Sequence, residues 1–130
     1  MKILVTGATG FTGSRVVPLL IQNGFNVRCL SRSTSDRTSL SPLTIEWATG
    51  DLSNAESLTS AMQGADALVN IASLGFGHAD SIISAVKAAG IKRAIFISTT
   101  AIFTQLNAGS KSVRLAAEDA IRSSGLDFTI

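Results

Sequence analysis

Near its amino terminus the chain reads "VTGATGFTG" from Val5 to Gly13, with three glycines, three threonines and no charge, directly after the apolar run Ile3-Leu4-Val5. Glycine is the residue that loses most backbone freedom on folding, so three of them where a strand hands over to a helix require a compensating reason. A glycine-lined strand-to-helix turn supplies one. It places bare backbone amides at the start of a helix, where the helix dipole adds about half a positive charge, and the product is a site for an anion.

The remainder of the chain supports that reading. Short apolar runs at Lys2–Thr6, Asn26–Leu30, Thr44–Ala48, Ala65–Ile71, Arg93–Ser98 and Asp127–Ile130 read as strands. Amphipathic segments lie between them, with Ala79, Ile82, Ile83 and Val86 on one helical face and Val113, Ala116, Ala117 and Ala120 on another. Gly24, Gly64, Gly90 and Gly125 each follow the last periodic residue, as glycines that close helices do. Ser53 and Glu56 have the spacing of a capping box, and Pro18 is expected to kink the first helix. Strand and helix in alternation, with strands apolar throughout, predict an α/β fold: a doubly wound parallel sheet of the Rossmann type with helices on both faces. Residues 1–130 then form one dinucleotide-binding domain. Ser31 to Pro42 and Leu74 to His78 read as loops.

Composition narrows the function. Eleven Lys and Arg against nine Asp and Glu give a net charge of +2, and the basic residues are scattered, so no nucleic-acid partner is expected. One cysteine, Cys29, and one histidine, His78, leave no disulfide and no metal cluster to build. Apolar runs such as Ala94–Ile97 fall far short of a bilayer span, and no membrane partner is expected. With no export signal legible either, the expected location is cytoplasmic.

Ligands of a doubly wound sheet bind at the carboxyl ends of its strands, and the spacing G-x-x-G-x-x-G puts Gly7, Gly10 and Gly13 at the first such end. Gly7 suits the tight turn, Gly10 lets backbone approach a diphosphate, and Gly13 allows close packing of helix on sheet. "TGATGFTG" resembles the opening of the extended and atypical short-chain dehydrogenase/reductases, the group containing nucleotide-sugar epimerases, dehydratases and NAD(P)-binding regulators. "GDL" at Gly50–Leu52, "NIA" at Asn70–Ala72, "AAGIKRAIFIST" at Ala88–Thr99 and "AAEDAIRSSGLDFTI" at Ala116–Ile130 extend the resemblance along the chain. It implies that Gly7, Thr9, Gly10, Phe11, Thr12 and Gly13 hold the diphosphate, that Asp51 and Leu52 lie against the adenine, and that Ala72 and Ser73 line the ribose and diphosphate.

An acidic residue about 20 positions past the glycines would select NAD, by bonding the ribose hydroxyls and repelling a 2′-phosphate. This chain has Ser31 and Arg32 there, so NADP is the expected cofactor and NAD the lesser one; Arg37 is a second guanidinium within reach of the same phosphate. Arg15 reads as a surface residue.

The chemistry is less plainly written. Redox and epimerase members of the resembled family use Tyr-x-x-x-Lys with a Ser or Thr, the lysine lowering the tyrosine pKa and the tyrosine exchanging a proton with substrate. This chain has no tyrosine. Ser110 and Arg114 stand where the pair belongs, and neither a serine without a base nor an arginine exchanges a proton near neutral pH. Thr100 matches the Ser/Thr position and is the remaining catalytic candidate, while Ser98 reads as support for the cofactor face. His78 falls in a loop near where an unknown small-molecule substrate would lie. Two functions follow: an NADP(H)-dependent oxidoreductase or epimerase/dehydratase relative, or a non-catalytic NADP(H)-sensing regulator. In the resembled family the chain continues past the "GLDFTI" strand into a C-terminal substrate domain, which these 130 residues do not contain. A sheet edge left without that continuation would favour pairing with another copy of the chain.

Overall fold

The computed structural model describes residues 1–105 and 107–130. Six strands alternate with four α-helices: β1 Lys2–Thr6, α1 Gly13–Gln22, β2 Asn26–Ser31, β3 Glu46–Thr49, α2 Ala55–Met62, β4 Ala67–Asn70, α3 Ala79–Ala88, β5 Arg93–Phe96, α4 Gly109–Arg122 and β6 Phe128–Thr129. The strands form one sheet in the order β3-β2-β1-β4-β5-β6, and every neighbouring pair is parallel. The chain direction across the sheet therefore reverses between β1 and β4, which opens a crevice at the carboxyl ends of those two strands.

Alternation along the strands divides the core in two. Leu4, Leu30, Leu68, Ala94 and Phe96 pack with Leu58 and Met62 of α2, Ile82 and Val86 of α3, and Ile121 of α4. Ile3, Val5, Val27, Cys29 and Val69 pack instead with Val17 of α1 and with Leu40 of the 3-10 turn Thr38–Leu40. Burial pushes the Cys29 thiol pKa up to about 12, because charging a thiolate among aliphatic side chains is unfavourable.

Gly24, Gly64, Gly90 and Gly125 all have positive φ just past a helix end, as their spacing predicts. One local expectation fails. Asn54, not Ser53, caps α2, its Oδ1 accepting the Ser57 amide at 2.9 Å. Ser53 is drawn off by Asp51, whose carboxylate accepts both its amide (2.8 Å) and its hydroxyl (2.6 Å) in an Asx turn. Helix α1 runs unbroken across Pro18, which lacks the N–H that would have bonded the Ser14 carbonyl.

Candidate functional site

A cleft of about 520 Å³ opens where β1, β2, β3 and β4 end, and its wall includes Gly7, Arg32, Asp51, Ala72, Ser73 and His78. Its floor is fixed by a buried polar link. Thr6 is fully buried and donates its hydroxyl to Asn70 Oδ1 at 2.6 Å, while the Asn70 amide donates to the Ala72 carbonyl at 3.0 Å and the Ala72 amide reaches Thr6 Oγ1 at 3.3 Å. These bonds tie the exit of β4 to the exit of β1 directly under the glycine turn. Thr6 and Asn70 were not singled out by sequence reasoning. Each is a polar residue that ends an apolar run and opens one of the quoted motifs, Thr6 in "TGATGFTG" and Asn70 in "NIA".

The three glycines have separate tasks. Gly7 has φ +67°, and a Cβ there would lie 2.7 Å from the Ala72 amide nitrogen. A Cβ on Gly13 would run into the Gly7 carbonyl and come within 2.6 Å of the Ala8 backbone, so the start of α1 can approach the turn only without a side chain. Gly10 differs, because a Cβ there would meet only the Gly7 carbonyl, at an ordinary 3.5 Å. Nothing in the chain's own packing requires glycine at position 10. The amides of Thr9, Phe11 and Thr12 have no acceptor among the described residues, whereas those of Gly10, Ser14, Arg15 and Val16 do. Phe11 is exposed, and the Arg15 guanidinium lies 3.9 Å over its ring.

Of the residues named from the sequence, Gly7, Thr9, Arg32, Asp51, Leu52, Ala72 and Ser73 line the cleft. Gly10, Phe11, Thr12 and Gly13 form the turn beside it. Arg32 is exposed, and its backbone closes a short turn through Ser35. Arg37 is placed differently from the expectation: its guanidinium is held by Ser31 Oγ at 2.6 Å and stacks 4.5 Å above Trp47, outside the cleft wall. Stacking on Trp47 and the bond to the buried Ser31 hydroxyl hold it there. Asp51 keeps its carboxyl below the ordinary carboxylate value chiefly through the Ser53 hydroxyl, then the Ser53 amide, with the charges of His78 and Arg32 adding. His78, which the sequence places in a loop, lines the same cleft as Asp51 and Arg32.

Next to the cleft residue Ser73, α4 packs against two 3-10 turns. Arg114 donates to Ser110 Oγ at 3.0 Å and to Ser73 Oγ at 3.2 Å, and its guanidinium lies so close to Gly75 that a Cβ there would be 2.9 Å from Cζ. Ser110 and Arg114 thus join one turn apart, and Arg114 fastens the Leu74–Phe76 turn to α4. Thr100 opens the turn Thr100–Phe103 and is exposed, outside the cleft wall. Ser98, expected to support the cofactor face, donates instead at 2.5 Å to Glu118, a buried carboxylate also paired with Arg122. Among the described residues no cluster of metal-ligating side chains is present, and no helix is long and apolar enough to cross a membrane.

Residues 7–130 match the model of a family described as NAD(P)H-binding. The photosystem II assembly factor Ycf39 of Cyanophora paradoxa is 30% identical, over 100% of this chain and 44% of that protein. A ceramide reductase of Caulobacter vibrioides is 32% identical, over 93% of this chain and 42% of that one. Among solved structures, the NADPH-dependent quinone oxidoreductase QOR2 of Escherichia coli, complexed with NADPH, superposes with a TM-score of 0.82 at 26% identity, covering 97% of this chain and 46% of that one. The chain spans less than half the length of these relatives.

Proposed function

Since the chain belongs to the NAD(P)H-binding family and is of the atypical short-chain dehydrogenase/reductase type, we propose that its cleft holds NADP(H) and that it is the cofactor domain of a hydride-transfer protein. The observation that carries this reading is the turn at α1. Amides of Thr9, Phe11 and Thr12 have no acceptor among the described residues, beside a glycine whose missing side chain no packing demands. A diphosphate satisfies the amides and uses the space. Gly7, Gly10 and Gly13 shape that seat, Arg32 takes the 2′-phosphate, Asp51 and Leu52 border the adenine, and Ala72 and Ser73 border the ribose and diphosphate. Arg37 steadies the end of β2 through Ser31. The NADPH bound to the Escherichia coli neighbour supports the phosphorylated cofactor. We place the protein in the cytoplasm, which suits a single reduced thiol.

Bound NADPH supplies a hydride to an electrophilic small-molecule acceptor. This chain's residues would orient the cofactor and exclude water from its diphosphate. The exposed Thr100 hydroxyl is free to hold a carbonyl oxygen, and the proton comes from solvent, since Ser110 and Arg114 are bonded to each other and neither is an acid. That same pairing supports a second reading, an NADP(H)-sensing module without turnover. Consumption of NADPH with a panel of carbonyl and quinone acceptors separates the two: turnover supports the enzyme, while binding without turnover supports the sensor.

Calorimetric titration tests what both share. NADPH is expected to bind about tenfold tighter than NADH, a difference of about 1.4 kcal/mol, within the range of one charge-assisted contact. Equal affinities remove the role given to Arg32. A Gly10→Val chain that folds and still binds NADPH at full strength overturns the diphosphate seat.

A further inference from the structure

Ser73 follows the exit of β4 and lines the cleft, and its Oγ accepts from the Gly75 amide at 3.1 Å and from Arg114 Nη2 at 3.2 Å. A serine oxygen has two lone pairs and one O–H. Both lone pairs are thus engaged, while the O–H has no acceptor among the described residues. Toward a ligand in the cleft Ser73 can only donate. Arg114 is half-buried, its other partner is the Ser110 hydroxyl at 3.0 Å, and none of the ion pairs among the described residues involves it. No carboxylate offsets its charge. A cation donating to a hydroxyl oxygen polarises that hydroxyl and strengthens it as a donor, and a strong donor gains most from an anionic acceptor.

The place of Ser73 says which anion. It follows Ala72, whose amide nitrogen would lie 2.7 Å from a Cβ on Gly7, so the hydroxyl stands one residue past the point where the exit of β4 meets the glycine turn. We propose that Arg114 is a positioning residue of the cofactor site, holding Ser73 from α4 so that its hydroxyl donates to a phosphate oxygen of the dinucleotide. The proposal rests on the NADP(H) reading above and gives that site a working residue outside its own wall. Gly75 offers a way to separate this role from simple fastening of the Leu74–Phe76 turn. The three atoms nearest to a Cβ there would all belong to the Arg114 guanidinium, at 2.9 Å from Cζ, 3.0 Å from Nη2 and 3.1 Å from Nε. Gly75 is not among the glycines with positive φ. Gly75→Ala therefore pushes the end of one flexible side chain off Ser73 while the backbone and the charge stay.

The test is calorimetric titration of NADPH into the chain, into Ser73→Ala, Arg114→Met and Gly75→Ala, and into Ser73→Ala combined with each of the other two, with urea unfolding to show that each is folded. Ser73→Ala should weaken binding about tenfold, the loss of one hydrogen bond to a charged group. Arg114→Met and Gly75→Ala should each cost about threefold alone and less than about 1.5-fold once Ser73 is alanine, because the two residues act through one bond. If Arg114 merely fastened the turn, its loss would persist without the Ser73 hydroxyl, since Phe76 of that turn also lines the cleft. Additive losses overturn the proposal, as does full-strength binding by Ser73→Ala, or by both Arg114→Met and Gly75→Ala. ADP, which carries the diphosphate without the nicotinamide ribose, should show the same Ser73→Ala loss in competition with NADPH; a loss confined to NADPH overturns the phosphate as the partner. Each of these results leaves the NADP(H) reading standing, whereas a wild-type chain without affinity for NADPH overturns that reading and the role of Arg114 with it.

Discussion

The two ends of the crevice are made by different means. At the exits of β1 and β4, backbone does the work: a glycine turn, amides that have no acceptor among the described residues, and a floor locked by Thr6, Asn70 and Ala72. At the α4 end, side chains do it, with Arg114 strung between Ser110 and Ser73 and with Thr100 exposed on a short turn. A backbone site tolerates almost no change in shape but leaves its ligand's chemistry open. A side-chain site keeps its shape through many substitutions while its chemistry changes with each one, and here it is a serine and an arginine that are joined.

If that contrast holds, the largest effect comes from Gly13→Val. The added side chain meets the Gly7 carbonyl and the Ala8 backbone, neither of which can turn aside, so a loss of about 3 kcal/mol or more is expected in urea unfolding, with no NADPH binding left. Thr6→Val comes next. It leaves the buried Asn70 carbonyl oxygen and the Ala72 amide without their partner, for about 1–3 kcal/mol. Cys29 gives a reading of the same half. Its thiol is buried on β2 with its pKa pushed up to about 12, so at pH 8 a thiol reagent should label it only through opening. NADPH at 100 times its dissociation constant should slow that labelling about 100-fold. If the rate ignores NADPH, the cofactor does not bind the form in which β2 is closed. The raised pKa also sets a sign in alkali. From about pH 9 the unfolded thiol ionises while the folded one stays protonated, so stability falls with rising pH until about 12.

The same contrast explains what the sequence discloses. Backbone sites are legible because only glycine suits them, and Gly7 and Gly13 are required where the spacing places them. The strand and helix order is legible because parallel strands buried on both faces must be apolar throughout, as in Leu4-Val5 and Leu68-Val69. Side-chain partnerships are not. Nothing local reveals that Arg37 stacks on Trp47, that Ser98 turns to Glu118, or that His78 lines the same cleft as Asp51, since each partner is brought in from a different strand or helix. Ser53 and Asn54 show the limit at one residue: both are good caps, and the Asp51 carboxylate decides between them by taking Ser53.

The smallest effects belong to the α4 end, and they are its sharpest test. Arg114→Met keeps much of the volume over Gly75 and removes the bonds to Ser110 and Ser73, which are partly exposed, so about 1 kcal/mol of stability and no more than about threefold in NADPH affinity should be lost. Thr100→Val touches nothing buried, and its stability should stay within about 0.5 kcal/mol. The informative quantity is the ratio of acceptor turnover to cofactor affinity in each variant. A hydroxyl that holds a carbonyl oxygen in the transition state lowers turnover without loosening NADPH, by about tenfold when removed. An unchanged turnover in Thr100→Val would mean that the α4 end orders the crevice and takes no part in chemistry; a loss confined to turnover would show that this end retains a catalytic group despite the missing tyrosine.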